Sequence, residues 1–310
     1  MSQFADNSTG VTLNQATFGL SILFIFVAFI QLVITAVYGF SSKHRRGLHA
    51  RHTDREPEHE EPAEFSRHRQ SFTILMMMAL LMLIISFAFN AATFCVSFDV
   101  IVGFWYELSR LVREMSTEFF YAGLLMFLAC CEYATEDWNV TDSDFARFSK
   151  STARRSIMFP LVLVFIMVAS TITRLVLFIV HQVTSRSAWL LLASFITLQI
   201  YMLAYLILTI YFGVTAVKAW RRGKPDLSFV PLDLSNGHVT FDPNDMLRRI
   251  AHYICPLLCV LTAYEIVYDV LQFLVAIRLE DWLLANTVVE GVVLLLVTTI
   301  AVTTGLMSRD

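Results

Sequence analysis

Seven long apolar runs constrain the fold of this chain more than any other feature of its sequence. A helix needs about 20 apolar residues to cross the hydrocarbon core of a bilayer, and each run reaches or approaches that length. None of the runs alternates apolar and polar residues, so a transmembrane β-barrel is not expected. We therefore predict an all-α integral membrane protein with seven transmembrane helices. The predicted spans are 18–40, 71–97, 115–133, 156–182, 188–217, 251–277 and 283–307.

The composition supports a membrane protein and excludes several other classes. Of the 310 residues, 56% are hydrophobic and 16% are charged, and the mean hydropathy is +0.62. A soluble domain carries about 25% charged residues. The net charge of −3 is too small to indicate a partner. We expect neither a disordered chain, nor a basic nucleic-acid-binding protein, nor an ordinary cytosolic enzyme.

The third run is the least apolar of the seven. Its uninterrupted apolar part, from Phe119 to Cys131, is short for a complete crossing. The preceding stretch 105–116 contains charged residues, and we expect it to extend the span as a partly polar helix.

The distribution of Lys and Arg predicts how the chain is oriented in the membrane. An excess of these residues in short loops marks the cytoplasmic side. Of the 23 Lys and Arg, 18 fall in the segments 41–70, 134–155, 218–250 and the C-terminal tail, and four fall in the segments on the opposite side. We therefore predict that the N-terminus is outside and the C-terminus is inside.

The segments that flank the spans complete the predicted organisation. Asn7 begins an Asn-X-Ser/Thr site and is a glycosylation candidate on the outer side. Asp242 and Pro243 offer an N-cap and a first-turn proline for a helix that enters the sixth span. The predicted parts are an outer tail (1–17), one transmembrane domain (18–307) and two long inner loops (41–70 and 218–250).

Four ionisable residues stand out inside the predicted spans, where a charge is costly and is a functional candidate by default. Two of the acids, Glu265 and Asp269, are four residues apart and share a helix face. We predict a pocket in the outer half of the membrane for a small cationic or hydroxylated ligand. The alternative is a set of buried ion pairs that hold the helices together. The pocket residues are Arg174, which would balance the acids, and Glu265, Asp269 and Glu290.

A second group of charges surrounds the outer end of the third span. It includes Arg113, Glu114 and Glu118. A solvated helix surface is the simpler interpretation of these residues. The alternative makes them the mouth of the same outer pocket.

The sequence carries no pattern that indicates catalysis or a cofactor. There is no His-Glu-X-X-His, no Gly-X-Ser-X-Gly and no glycine-rich nucleotide-binding loop. Cys255 and Cys259 share a helix face, but two thiols without further ligands are a poor zinc site. We therefore expect no enzymatic activity, no cofactor and no metal site.

Seven spans with an outer N-terminus resemble the topology of G-protein-coupled receptors. The sequence departs from the fragments that mark the rhodopsin-like members of that family. The third span ends in Cys131-Glu132-Tyr133 rather than Asp-Arg-Tyr, and the sixth has Cys255-Pro256 without Cys-Trp-X-Pro. The seventh has neither Asn-Pro-X-X-Tyr nor a lysine for a retinal Schiff base. The motifs identify no specific family.

A receptor-like protein of the plasma membrane or an endomembrane is our first functional hypothesis. Its outer pocket would bind a small ligand, and its inner loops 134–155 and 218–250 would contact a cytosolic partner. The first alternative is a proton- or cation-coupled transporter, or an exporter of lipids or drugs, in which Glu265 and Asp269 would be protonation sites. The second alternative is a non-catalytic membrane scaffold. Besides the lipid bilayer we expect no nucleic-acid partner.

Overall fold

The chain folds into long helices wherever the structure describes it. The computed structural model describes residues 2–49, 63–94, 99–137, 143–183, 188–222, 243–274 and 279–306. Within these ranges the α-helices are α1 (Ser2–His49), α2 (Ala63–Ala92), α3 (Asp99–Asp137), α4 (Ser143–Val183), α5 (Ala188–Arg222), α6 (Pro243–Arg249), α7 (Cys255–Leu274) and α8 (Leu279–Leu306).

Six of the described helical segments are long and apolar enough to cross a membrane. They coincide with six of the seven predicted runs, so the prediction of an all-α membrane protein is confirmed at this level. The count of seven spans, the orientation and the identity of the membrane stay predictions. The six candidate spans are Asn14–Gly39, Gln70–Ala92, Met158–Val183, Trp189–Arg221, Met246–Tyr268 and Leu284–Thr304.

Several helices extend beyond the apolar runs that predicted them. α1 begins at Ser2 and ends at His49, so it includes most of the predicted outer tail and the start of the first inner loop. Hydropathy identifies only the part of a helix that is apolar enough for lipid, so it does not predict where the helix itself ends. The helix can continue on both sides of the run 18–40 because no proline interrupts it there. The predicted helix start before the sixth span is confirmed, because α6 begins at Pro243.

α3 is the least apolar of the long helices and is enclosed by the others. From residue 104 to residue 129 every side chain of α3 is buried or half-buried. By contrast, Phe165 on α4 is 71% exposed and Leu203 on α5 is 60% exposed. A side chain of a membrane helix has to be apolar only where it is in contact with lipid. The enclosed position therefore explains how α3 carries five charged residues between 104 and 129, more than any of the six candidate spans carries.

The helices follow one another around a closed bundle. α1 packs against α2, α2 against α3, α3 against α4, and α4 against α5. α5 packs against α7, α7 against α8, and α8 returns to α1. α3 also reaches across the bundle to α5 and α8. Among the described elements, α3 and α8 therefore have the most neighbouring helices.

A large apolar cluster fills the half of the bundle in which α3 ends and α7 begins. We call that side the predicted inner end and the opposite side the predicted outer end. Burial of these side chains stabilises the bundle through close packing, which replaces the hydrophobic effect as the driving force between membrane helices. Members of this inner cluster include Leu124, Leu128, Leu208, Phe212, Ile254, Leu258, Val297 and Ala301.

Buried polar side chains tie α8 to α1 and α2. The Gln31 amide donates to the Leu295 carbonyl oxygen at 3.1 Å and to Thr299 Oγ1 at 2.6 Å. The Asn90 amide on α2 donates to Thr287 Oγ1 at 2.8 Å. Hydrogen bonds of this kind contribute roughly 0.6–2 kcal/mol each between membrane helices.

One π-helical turn, Ile250–Ile254, joins α6 to α7. The Cys255 N–H donates to the carbonyl oxygen of Ile250, which is five residues earlier, whereas in an α-helix the acceptor is four residues earlier. Pro256 follows directly, and in a regular α-helix its ring clashes with the carbonyl four residues earlier. The wider turn relieves that clash and leaves a break in the hydrogen bonding of this segment.

The close approach of α1 and α8 at Gly291 is testable. A Cβ at this position would lie 2.6 Å from the ring of Phe24, whereas a Cβ at Gly213 on α5 would meet no atom within 4 Å. We expect Gly291→Ala to lower the free energy of unfolding by about 1–3 kcal/mol, because the added methyl group overpacks the contact. Gly213→Ala is the matched control and should be neutral or stabilising by up to about 1 kcal/mol.

Thermal unfolding of both variants in the same detergent measures the difference. Phe24→Leu in the Gly291→Ala background should recover part of the loss, since a smaller side chain makes room for the methyl group. Equal melting of the two glycine variants would contradict the close packing of α1 against α8.

Candidate functional site

Charged side chains from α3, α7 and α8 meet at a small cavity that α5 closes. Its volume is about 30 Å³, which is room for about two water molecules. The α3 residues around it recur at i, i+3, i+4 and i+7 and therefore share one helix face. We call this the polar cavity. Its lining residues are Arg110, Arg113, Glu114 and Thr117 of α3, Tyr201 and Met202 of α5, Glu265 and Tyr268 of α7, and Glu290 of α8.

An ion pair between Arg113 and Glu290 ties α3 to α8. The Arg113 side chain is 12% exposed and the Glu290 side chain is 5% exposed, so both charges are almost removed from water. Glu265 on α7 also interacts electrostatically with Arg113. Removing one partner of a buried pair strands the other charge, which makes such a pair costly to break.

A second ion pair ties α3 to α4. Arg174 Nη1 lies 2.5 Å from Glu114 Oε1 and 2.6 Å from Glu114 Oε2. Arg110, one turn earlier on α3, places its Nε 3.5 Å from Glu114 Oε1. Glu114 therefore stands between two guanidinium groups. Charge-assisted hydrogen bonds such as these are about twice as strong as neutral ones.

Glu118 continues the same contact surface between α3 and α4. Its Oε1 accepts a hydrogen bond from Thr171 Oγ1 at 2.6 Å, and the residue is buried. Thr171 and Arg174 are three residues apart on α4, so they lie on one face. That face of α4 thus contacts two acids of α3, Glu114 and Glu118, which are one helical turn apart.

Hydrogen-bonded hydroxyl groups lie on both sides of the polar cavity along the bundle. Towards the predicted outer end, the hydroxyls of Tyr106 and Tyr268 form a hydrogen bond between α3 and α7. Towards the predicted inner end, Thr209 Oγ1 on α5 lies 2.7 Å from the Tyr121 hydroxyl and 3.0 Å from Thr262 Oγ1. These bonds join α3, α5 and α7 on the predicted inner side of the polar cavity.

The structure brings some of the sequence-predicted site residues together and separates others. Glu265 and Glu290 both line the polar cavity. Arg174 pairs with Glu114 at the α3–α4 contact and is not among the cavity residues. The side chain of Asp269 lies outside the described part of α7, and that of Asn7 lies outside the described part of α1.

The three residues interpreted as a solvated surface or a pocket mouth lie inside the bundle. Glu114 and Glu118 are buried, and Arg113 is nearly so. Arg113 and Glu114 line the cavity itself, whereas Glu118 faces α4. A solvated surface is therefore wrong for these residues, because neighbouring helices cover this face of α3.

The sequence placed Arg110 in the same group of charges as Arg113 and Glu114, since their spacing puts all three on one face of α3. It did not place Tyr201 or Tyr268 at the site. Both tyrosines lie within predicted spans, where the ring packs as other large apolar side chains do.

Within the described ranges, no three His, Cys, Asp or Glu side chains are close enough to hold a metal ion. Comparison with known proteins adds no assignment to the site: no protein-family model, curated protein or solved structure matches the chain.

The ion pair between α3 and α8 can be tested by a double-mutant cycle. We expect Arg113→Met and Glu290→Gln each to lower the free energy of unfolding by about 3–5 kcal/mol, because each change leaves a buried partner unpaired. The double variant should lose less than the sum of the two losses. Unfolding in detergent is the measurement.

Arg221→Met is the control, since Arg221 is an exposed arginine at the end of α5. It should shift stability by no more than about 0.5 kcal/mol. Additive losses in the double variant would contradict the direct pairing of Arg113 with Glu290.

Proposed function

We propose that the protein is receptor-like and binds a small polar ligand at the polar cavity. The observation that carries this proposal is the position of the cavity beside ion pairs that tie α3 to α4 and to α8. A ligand that competes for these charges alters the contacts between helices. The role is binding and response to binding, not catalysis.

The charges around the cavity favour one class of ligand. Arg110 and Arg113 line it together with Glu114, Glu265 and Glu290, so both signs of charge are present. The sequence alone indicated an excess of acid and hence a cationic or hydroxylated ligand. With two arginines at the cavity, a hydroxylated or zwitterionic ligand is the better fit, because it offers donors and acceptors to both kinds of group.

The size of the cavity implies that binding is coupled to helix movement. A volume of about 30 Å³ holds water but not an organic ligand. Entry of a ligand therefore requires α7 or α8 to move away from α3. α7 is the better candidate, because the π-turn Ile250–Ile254 and Pro256 interrupt its hydrogen bonding towards the predicted inner end. Breaks of this kind are frequent hinges.

A transporter is the second candidate, and the hydroxyl contacts of Thr209 with Tyr121 and Thr262 favour it. They place hydrogen-bonded hydroxyl groups between the polar cavity and the predicted inner end. Beyond them the described core is apolar and includes Leu258 and Phe212. A transported solute would have to open a continuous path through this packed cluster, whereas a receptor needs only a shift of α7 that repacks Leu258 within it. The packed inner half therefore supports the receptor.

The ligand-binding proposal is tested by screening small sugars, polyols and amino acids against the protein in nanodiscs. A ligand at 100 times its Kd raises the free energy of unfolding by about 2.7 kcal/mol. We expect Glu265→Gln to weaken binding about tenfold or more, since it removes a charged hydrogen-bond acceptor. Glu107→Gln is the control, because Glu107 lies on α3 but does not line the cavity.

Two further readouts separate the candidate functions. A receptor should change the distance between spin labels at Arg221→Cys and Arg248→Cys when ligand is added. A transporter should instead carry solute into proteoliposomes under a proton gradient, and Glu265→Gln should abolish that flux. Equal loss of binding in Glu107→Gln and Glu265→Gln would contradict a ligand site at the cavity.

A further inference from the structure

A long groove runs along the outside of the bundle, on the face of α5 that adjoins α4. Its volume is about 540 Å³. The α5 residues that form it recur at i, i+3, i+4 and i+7, so they share one helix face. We call it the α4–α5 groove. Its walls include Phe159 of α4 and Ile207, Ile210, Tyr211 and Val214 of α5, and it ends at Lys218.

The groove faces away from the bundle on two helices that are apolar enough to span a membrane. Ile210 is 55% exposed and Val214 is 46% exposed. The rings of Phe159 and Tyr211 are in contact, with their centroids 5.4 Å apart, and line the groove between the two helices. Inside a bilayer such an apolar surface is in contact with acyl chains.

The length of the groove matches one leaflet. From Ile207 to Lys218 the helix rises about 16 Å, at about 1.5 Å per residue. Half of the roughly 30 Å hydrocarbon core is about 15 Å. Lys218 lies close to the end of the candidate span Trp189–Arg221, where lipid headgroups begin. An acyl chain that fills the groove therefore brings its headgroup to Lys218.

We propose that the α4–α5 groove is a binding site for a phospholipid with an anionic headgroup. One acyl chain lies along the apolar walls, and the phosphate accepts hydrogen bonds from the Lys218 ammonium, which is exposed at the end of the groove. A zwitterionic headgroup adds a cation that the ammonium repels, so it binds less well. The predicted orientation places Lys218 in the cytoplasmic leaflet, which carries the anionic lipids.

This site does not depend on the proposed receptor function. The groove and the polar cavity share no residue, and they lie outside and inside the bundle respectively. Loss of ligand binding at the cavity would leave the lipid site unaffected.

The experiment uses protein equilibrated with equal amounts of phosphatidylglycerol and phosphatidylcholine that have identical acyl chains. Native mass spectrometry then counts the lipids that each variant retains. For the wild type we expect an about fivefold preference for phosphatidylglycerol. This ratio corresponds to the attraction of one basic side chain to an anionic membrane surface. Lys218→Gln should bring the ratio close to one. Val214→Trp, which fills the groove, should lower the retention of both lipids.

Two control variants are matched to these changes. Arg248→Gln removes an exposed basic residue at the same end of the bundle, and Leu203→Trp enlarges an exposed side chain of α5 outside the groove. Both should behave as the wild type does. Melting temperatures identify any variant that is unfolded, and Ile210→Trp replaces Val214→Trp if the latter fails to fold.

Three results would overturn the proposal. The first is equal retention of the two lipids by the wild type. The second is a loss of preference in Arg248→Gln as large as that in Lys218→Gln. The third is efficient disulfide dimerisation of Val214→Cys in the membrane, which would mean that a second copy of the chain covers the groove.

Discussion

Charges buried inside an apolar bundle have to be paired, and this requirement organises the protein around α3. Its acids and arginines between residues 107 and 118 are buried or half-buried among other helices. Each therefore needs a partner on a neighbouring element or on the next turn of α3. Glu114 binds Arg174 of α4, and Arg113 binds Glu290 of α8. The positions of α4 and α8 relative to α3 follow from these two ion pairs.

The two halves of the bundle have different physical characters. On the side where α3 begins, ion pairs and tyrosine hydroxyls join α3 to α4, α7 and α8. A smaller apolar cluster lies beside them between α1, α2 and α8 and includes Phe24, Leu83 and Phe87. On the side where α3 ends, large apolar side chains pack without charged groups among the described core residues. The π-turn Ile250–Ile254 lies in this second half. In the receptor proposal, a shift of α7 would carry a disturbance of the polar half to the inner cluster, in which Leu258 of α7 packs.

The sequence predicted five of the six candidate spans to within five residues at each end, because matching to lipid is a local property of a helix. The remaining span was predicted over 251–277 and is Met246–Tyr268 among the described residues. It did not predict which helix faces meet, since that depends on residues far apart in the chain. Arg174 and its partner Glu114 are separated by 60 positions. Charges at i and i+4 have the same spacing on a solvated surface and in a buried network. For Arg113 and Glu114 only the surrounding helices distinguish the two cases.

The enclosed position of α3 is most directly tested by hydrogen exchange of the protein in nanodiscs, resolved by peptide. Over residues 106–129, we expect the amides of α3 to exchange as slowly as those of 198–216 in α5, despite the charges of α3. Protection of that kind in a segment with five charged residues requires that its backbone hydrogen bonds are shielded from water. Exchange over 106–118 much faster than over 198–216 would mean that water reaches this part of α3, which would contradict a bundle organised around this helix.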